Sequence, residues 1–162
     1  MAVTPSLLII WHSRTGASEQ MALAASKGAG GQAIIKNASD VTADDILTAG
    51  AYLFVCPENL GSLSGLMKDM FDRTYYPALG RIEGRAYATL IAAGSDGHGA
   101  TRQIDRIVTG WRLKRCADPV IINCDAQDPA AILASKSVGT KQLEICRNLG
   151  LGMQEGLALG IY

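Results

Sequence analysis

The sequence predicts an α/β protein: a three-layer α/β/α sandwich around a five-stranded parallel sheet in the order 2-1-3-4-5. Three observations carry this expectation. Apolar runs alternate with stretches of helical period from one end of the chain to the other. Four of those runs lack the polar alternation of a half-exposed sheet, which suits strands covered on both faces. Right-handed crossovers then leave few ways to wind a strand–helix alternation.

The first run, Leu7–Trp11, leads into an Ala-rich helix from Gly16 to about Ala29. Gln32–Lys36 is a weaker second strand. Thr42 to Asp45 have capping-box spacing ahead of Ile46 and Leu47, which marks the start of a short helix. Ala51–Cys56 is the third strand. Leu63, Leu66, Met67, Met70 and Phe71 fall at i, i+3, i+4, i+7 and i+8 and place the next helix, Leu63 included. Ala86–Ala93 is the fourth strand, and Ile104, Ile107, Val108 and Trp111 repeat the helical spacing after it. Pro119–Asn123 is the fifth strand. Ile145, Cys146, Leu149 and Met153 share one face of a last helix, Thr140 to about Leu157, against the low propensity of Gly150, Gly152 and Gly156. No linker divides these elements, so residues 1–162 are expected to form one domain.

With 162 residues and a hydrophobic share of 48%, the chain can bury a real core. Aromatics are only 6%, so that core must rest mainly on Ala, Ile, Leu and Val. Fifteen basic and fifteen acidic side chains cancel, which leaves no global field to attract nucleic acid. The one small cationic cluster, Arg112, Lys114 and Arg115, suits a solvated helix end. Cys56, Cys116, Cys124 and Cys146 form no C-x-x-C pair, and two histidines give no zinc-site spacing, so buried or free thiols are expected. No basic segment precedes the first apolar run, and no run approaches the ~20 residues of a membrane span. A cytoplasmic protein without a signal peptide is expected.

In the predicted strand order, ligands bind in the crevice at the carboxyl ends of the first and third strands, extended by the fourth. The three loops there are unusual. Ser13, Arg14, Thr15, Gly16, Ala17 and Ser18 follow the first strand. Free backbone N–H groups at a helix start favour an anion, and three hydroxyls around one glycine exceed what a cap requires. An N-cap serine with a turn glycine is the plainer alternative. Pro57, Glu58, Asn59, Leu60, Gly61 and Ser62 open a loop longer than is usual between a strand and a helix. It reads either as a ligand wall or as a Pro-started turn with Ser62 or Ser64 as cap. Gly94, Ser95, Asp96, Gly97 and His98 open a third, glycine-rich loop. It suits either close approach to a ligand or a solvent-facing turn.

Several chemistries are absent. There is no G-x-x-x-x-G-K-[ST], no G-x-S-x-G elbow and no G-x-G-x-x-G after the first strand. Trp11 and His12 stand where a phosphoacceptor domain of this architecture would want acids.

The motif Ser13-x-Thr15-Gly16-x-Ser18 resembles the phosphate loop of flavodoxins and of flavodoxin-like NAD(P)H-dependent FMN reductases, including WrbA-type quinone oxidoreductases. The stretch from Cys56 to Asp72 is similar to the second flavin loop of those reductases, and Gly94 to Gly99 to the third. The resemblance implies FMN as cofactor. It places Ser13, Arg14, Thr15, Gly16, Ala17 and Ser18 around the phosphate and Pro57, Glu58, Asn59, Leu60, Gly61 and Ser62 along the isoalloxazine. Gly94, Ser95, Asp96, Gly97 and His98 take the ring's other side. It implies an enzyme that uses NADH or NADPH to reduce a quinone-like or flavin acceptor, a small molecule, and that works as a homodimer or homotetramer. The second loop has no aromatic to sandwich the ring, and the long WrbA insertion is missing. A flavodoxin-type electron carrier is the first rival reading, though carriers generally present a strongly acidic surface. A flavodoxin-like domain that has lost flavin is the second.

Overall fold

The structure, a computed structural model, describes residues 4–162. The expectation of no leader rests partly on Met1–Val3, which lie outside these. Along the chain come β1 (Leu7–Trp11), α1 (Ala17–Ala29), β2 (Ile34–Asn37), α2 (Ala43–Thr48) and β3 (Ala51–Asn59). Then follow β4 (Ser62–Leu63), α3 (Gly65–Ala78), β5 (Ala86–Ala93), α4 (His98–Gly110) and β6 (Lys114–Arg115). The chain continues through β7 (Val120–Asn123), α5 (Pro129–Leu133) and α6 (Thr140–Ala158).

Parallel pairing runs β2-β1-β3-β5, and β6 and β7 both pair with β5. Taken as one interrupted edge strand, β6 and β7 complete the expected order 2-1-3-4-5, a flavodoxin-like fold. The interruption has a count. Ala86 pairs with Lys114 and Leu90 with Val120, so four steps along β5 span six along the edge. Edge strands absorb such extra residues as bulges. Arg115 therefore lies in a strand rather than at a solvated helix end, and it pairs with Asp105 of α4. That carboxylate also accepts a 2.8 Å hydrogen bond from the Tyr87 hydroxyl.

The strand pleat sends alternate residues to two cores. Leu8, Ile10, Phe54 and Cys56 meet Ile46, Met67, Met70, Phe71, Ile104 and Trp111 on one face. Leu7, Ile9, Leu53 and Val55 meet Met21, Ala25, Cys146 and Met153 on the other. The first face holds the fully buried aromatics Trp111, Tyr52, Phe54 and Phe71. The second is built from small and aliphatic residues, so α1 and α6 approach closely. A Cβ at Gly150 would stand 2.0 Å from the Ala25 carbonyl oxygen, which explains a glycine in mid-helix.

The start of one helix differs from expectation. Leu63 is not helical: it lies in β4, opposite Glu58 of β3, with Ser64 as the N-cap of α3. Leu63 is buried in the same core as Met67, and that shared burial mimics helical spacing. Leu66, on the same spacing, is 45% exposed. The capping box at Thr42 is present with both of its hydrogen bonds. Among the described residues, no helix is long and apolar enough to cross a membrane.

Candidate functional site

At the carboxyl end of β1 the chain turns through Ser13–Gly16 into α1. Gly16 is the N-cap, with φ 101°, a backbone state that a side chain strains. Ser13 Oγ accepts the Gly16 N–H at 3.0 Å. No side chain caps α1, so its first-turn N–H groups and the positive end of its dipole face outward. Ser18 is 1% exposed and its Oγ has no hydrogen-bond partner. A buried hydroxyl left unmatched costs about 1–3 kcal/mol, which an incoming polar group at this position would relieve.

The second and third loops are bolted together. The end of β3 and β4 form a hairpin with Asn59 opposite Ser62. Leu60 and Gly61 turn it with φ of 53° and 71°, as a two-residue type I′ loop does. Glu58 reaches from this hairpin to the N-terminus of α4. Its carboxylate accepts the Gly97 N–H at 2.9 Å and the Ala100 N–H at 3.1 Å. Gln103 adds a second tie, accepting from the Ser62 hydroxyl at 2.7 Å and the Leu63 N–H at 2.9 Å. Gly99 fits beneath the turn, where a Cβ would stand 2.1 Å from the Gly61 carbonyl oxygen.

These loops enclose a cavity of about 320 Å³. Ser13, Arg14, Thr15, Ala17 and Ser18 line one part of it. Pro57, Glu58, Asn59, Leu60 and Gly61 line another, with Gly94 and Ser95 from the loop after β5. Five residues singled out in the sequence do not line it. Gly16 shapes the turn beneath. Ser62 is bound to Gln103, and the N–H of Gly97 is held by Glu58. Asp96 and His98 are exposed, their side chains 3.9 Å apart. The polar rim foreseen for them points to solvent because α4 begins at His98 and its N-terminus is already occupied by Glu58.

The cavity also has lining residues that sequence reasoning missed: Ala92, Ala93, Cys124, Ala126, Ile132 and Lys136. The last four come from the segment between β7 and α6, which lies over the first loop. The Lys136 N–H donates to the Thr15 carbonyl at 2.8 Å. Gln20 bridges the two segments, donating to the carbonyls of Gly16 and Lys136 and accepting the Val138 N–H. Burial pushes the Cys124 thiol pKa up, against the pull of nearby Lys136. Asp128 capping a helix that starts at Pro129 is the sequence signal that could have revealed α5.

His12 and Ser64 join the first loop to the hairpin side: His12 Nδ1 lies 2.8 Å from Ser64 Oγ. Burial holds the His12 pKa below its ordinary value near 6.5. The unfolded chain therefore takes up a proton first as pH falls. Stability is full above about pH 6.5 and declines as pH drops through the depressed folded-state pKa. Thermal midpoints measured from about pH 7.5 to 5.5 should fall, and His12→Gln should flatten that slope.

Residues 22–115 match the family described as NADPH-dependent FMN reductase. A flavodoxin of Aquifex aeolicus (strain VF5) is 26% identical, over 94% of this chain and 87% of its own. An archaeal flavodoxin superposes with a TM-score of 0.74 at 16% identity, covering 94% of this chain and 99% of that one. A WrbA-like protein from Agrobacterium tumefaciens gives a TM-score of 0.70 at 16% identity, covering 96% and 98%. The two structures share the fold. The family match takes in α1 from Ala22 onward, the whole hairpin and the glycine-rich loop, and spans more than half of the sequence. On that match, the chain belongs to the NADPH-dependent FMN reductase family.

Proposed function

We propose that the cavity binds FMN, and that the protein uses NADH or NADPH to reduce a quinone-like or flavin acceptor. The observation that carries this reading is Ser18 Oγ, buried and unpartnered beside the uncapped start of α1. A phosphate there accepts from that hydroxyl and from first-turn N–H groups, and the helix dipole favours its charge. Ser13 and Thr15 add hydroxyls at the same end of the cavity.

When bound, FMN supplies the redox chemistry, and the protein supplies binding, orientation and electrostatics. Pro57, Asn59, Gly94 and Ser95 form walls for the ring, with backbone groups available to its polar edge. Leu60, fully exposed at the hairpin tip, and Ile132 of α5 bring apolar surface to the mouth. Glu58 and Gln103 keep the hairpin and the β5–α4 loop at fixed separation, so ring walls and ring edge are held together. A second subunit, completing the mouth, belongs to the same reading, as does a cytoplasmic location.

Similarity to a curated flavodoxin over most of both chains favours a second reading, an electron carrier with no NAD(P)H activity of its own. One titration separates the two. The purified protein, or protein supplied with FMN, should show flavin absorbance that bleaches on anaerobic addition of NADH or NADPH. Flavin absorbance that persists with both donors would favour the carrier. Failure to take up FMN would end both readings.

A further inference from the structure

Lys136 is, with Arg14, one of two cations lining this cavity, and no local motif announces it. Its ammonium donates to the carbonyl oxygens of Ala131 at 2.6 Å, Ile132 at 3.0 Å and Ala134 at 2.6 Å. Those three bonds use every donor that an ammonium has and close the C-terminal end of α5. Among the described residues, no carboxylate lies within ion-pair distance of it. A half-buried charge is thus held by neutral dipoles on the wall of a cavity, and its backbone is bonded to Thr15 of the first loop. The two unmatched features, a cation without an anion and the buried Ser18 hydroxyl without a partner, line the same cavity.

We propose that Lys136 is the counter-charge for the ligand's phosphate, and so a residue that selects a phosphorylated flavin over riboflavin. The proposal rests on the FMN reading of the cavity. Its action is through the field: with its donors engaged by carbonyls, the ammonium is held at a fixed position. α5 contains no fully buried residue. The lysine that carries the charge also holds this helix, and Ile132 on it lines the same cavity.

The test compares FMN and riboflavin affinities, by flavin fluorescence at low and moderate salt, for the wild type, Lys136→Met, Lys136→Arg and Asp128→Ala. Lys136→Met should weaken FMN binding about tenfold more than it weakens riboflavin binding, with a shallower salt dependence for FMN. Lys136→Arg should restore most of the FMN preference. Asp128→Ala removes the bond from Ala131 N–H at the other end of α5 while leaving the charge, and it should affect both flavins alike. Equal losses of FMN and riboflavin in Lys136→Met, or no loss of either, would overturn the proposal. If the wild type binds neither flavin, the FMN reading falls and inorganic phosphate decides the counter-charge. A rise in thermal midpoint with millimolar phosphate over chloride of equal ionic strength, absent in Lys136→Met, would sustain it. No rise in the wild type would sink it.

Discussion

Thr15→Ala combined with Ser18→Ala should weaken FMN binding about a hundredfold and change riboflavin binding by less than about threefold. Each hydroxyl donates to a charged acceptor in the proposed complex, worth about 1.5–3 kcal/mol apiece, and two losses at the low end of that range multiply to about a hundredfold. The pair is informative because the protein without ligand should not suffer. Ser18 Oγ makes no hydrogen bond and is buried, so the alanine removes an unmatched polar group from the interior. Ser18→Ala alone should hold or slightly raise the thermal midpoint of the ligand-free protein. Fluorescence titration and calorimetry on the same samples check both halves. Comparable losses for the two flavins would mean that the loop does not hold the phosphate.

Trp111→Ala should destabilise the protein by about 3–5 kcal/mol, read from urea denaturation. Trp111 is fully buried just past the end of α4. Its ring stacks on Tyr75 with centroids 5.7 Å apart and tilts against Phe71 at 5.6 Å. Its Nε1–H donates to the Tyr75 carbonyl at 2.9 Å, near the end of α3 where Pro77 follows. One side chain therefore joins α3 and α4 by both packing and a hydrogen bond. Trp111→Phe keeps much of the first and loses the second, so it should cost roughly 1–2 kcal/mol less than the alanine variant loses. A variant whose urea midpoint hardly moves would contradict this role for the ring.

The sheet was legible because burial on both faces leaves a sequence trace that no local competition disguises. Leu7–Trp11 and Ala86–Ala93 were readable to the residue. The failures have equally physical causes. Lys114–Arg115 is a two-residue edge segment with both side chains exposed, and such a segment carries no apolar pattern. α5 buries nothing, so no period betrays it. Leu63 matched the helical period because core burial, not helical geometry, sets the identity of the residue. At the site, the three loops were visible from hydroxyls and glycines at strand ends. Lys136 was not, since only the fold carries it more than a hundred residues along the chain to Thr15 and Gln20. His98 was conspicuous in the sequence because histidine is rare in the chain, and the structure places it exposed and outside the cavity lining.

Two helices aim their N-termini toward the strand ends, and they are electrically unequal. The start of α4 is already quenched by the chain's own Glu58, whereas the start of α1 is left open. The crevice therefore has a polarity, a head and a tail. On the proposed reading, a molecule with one anionic end is offered its seat at the start of α1. A molecule charged at both ends finds its second charge facing a carboxylate.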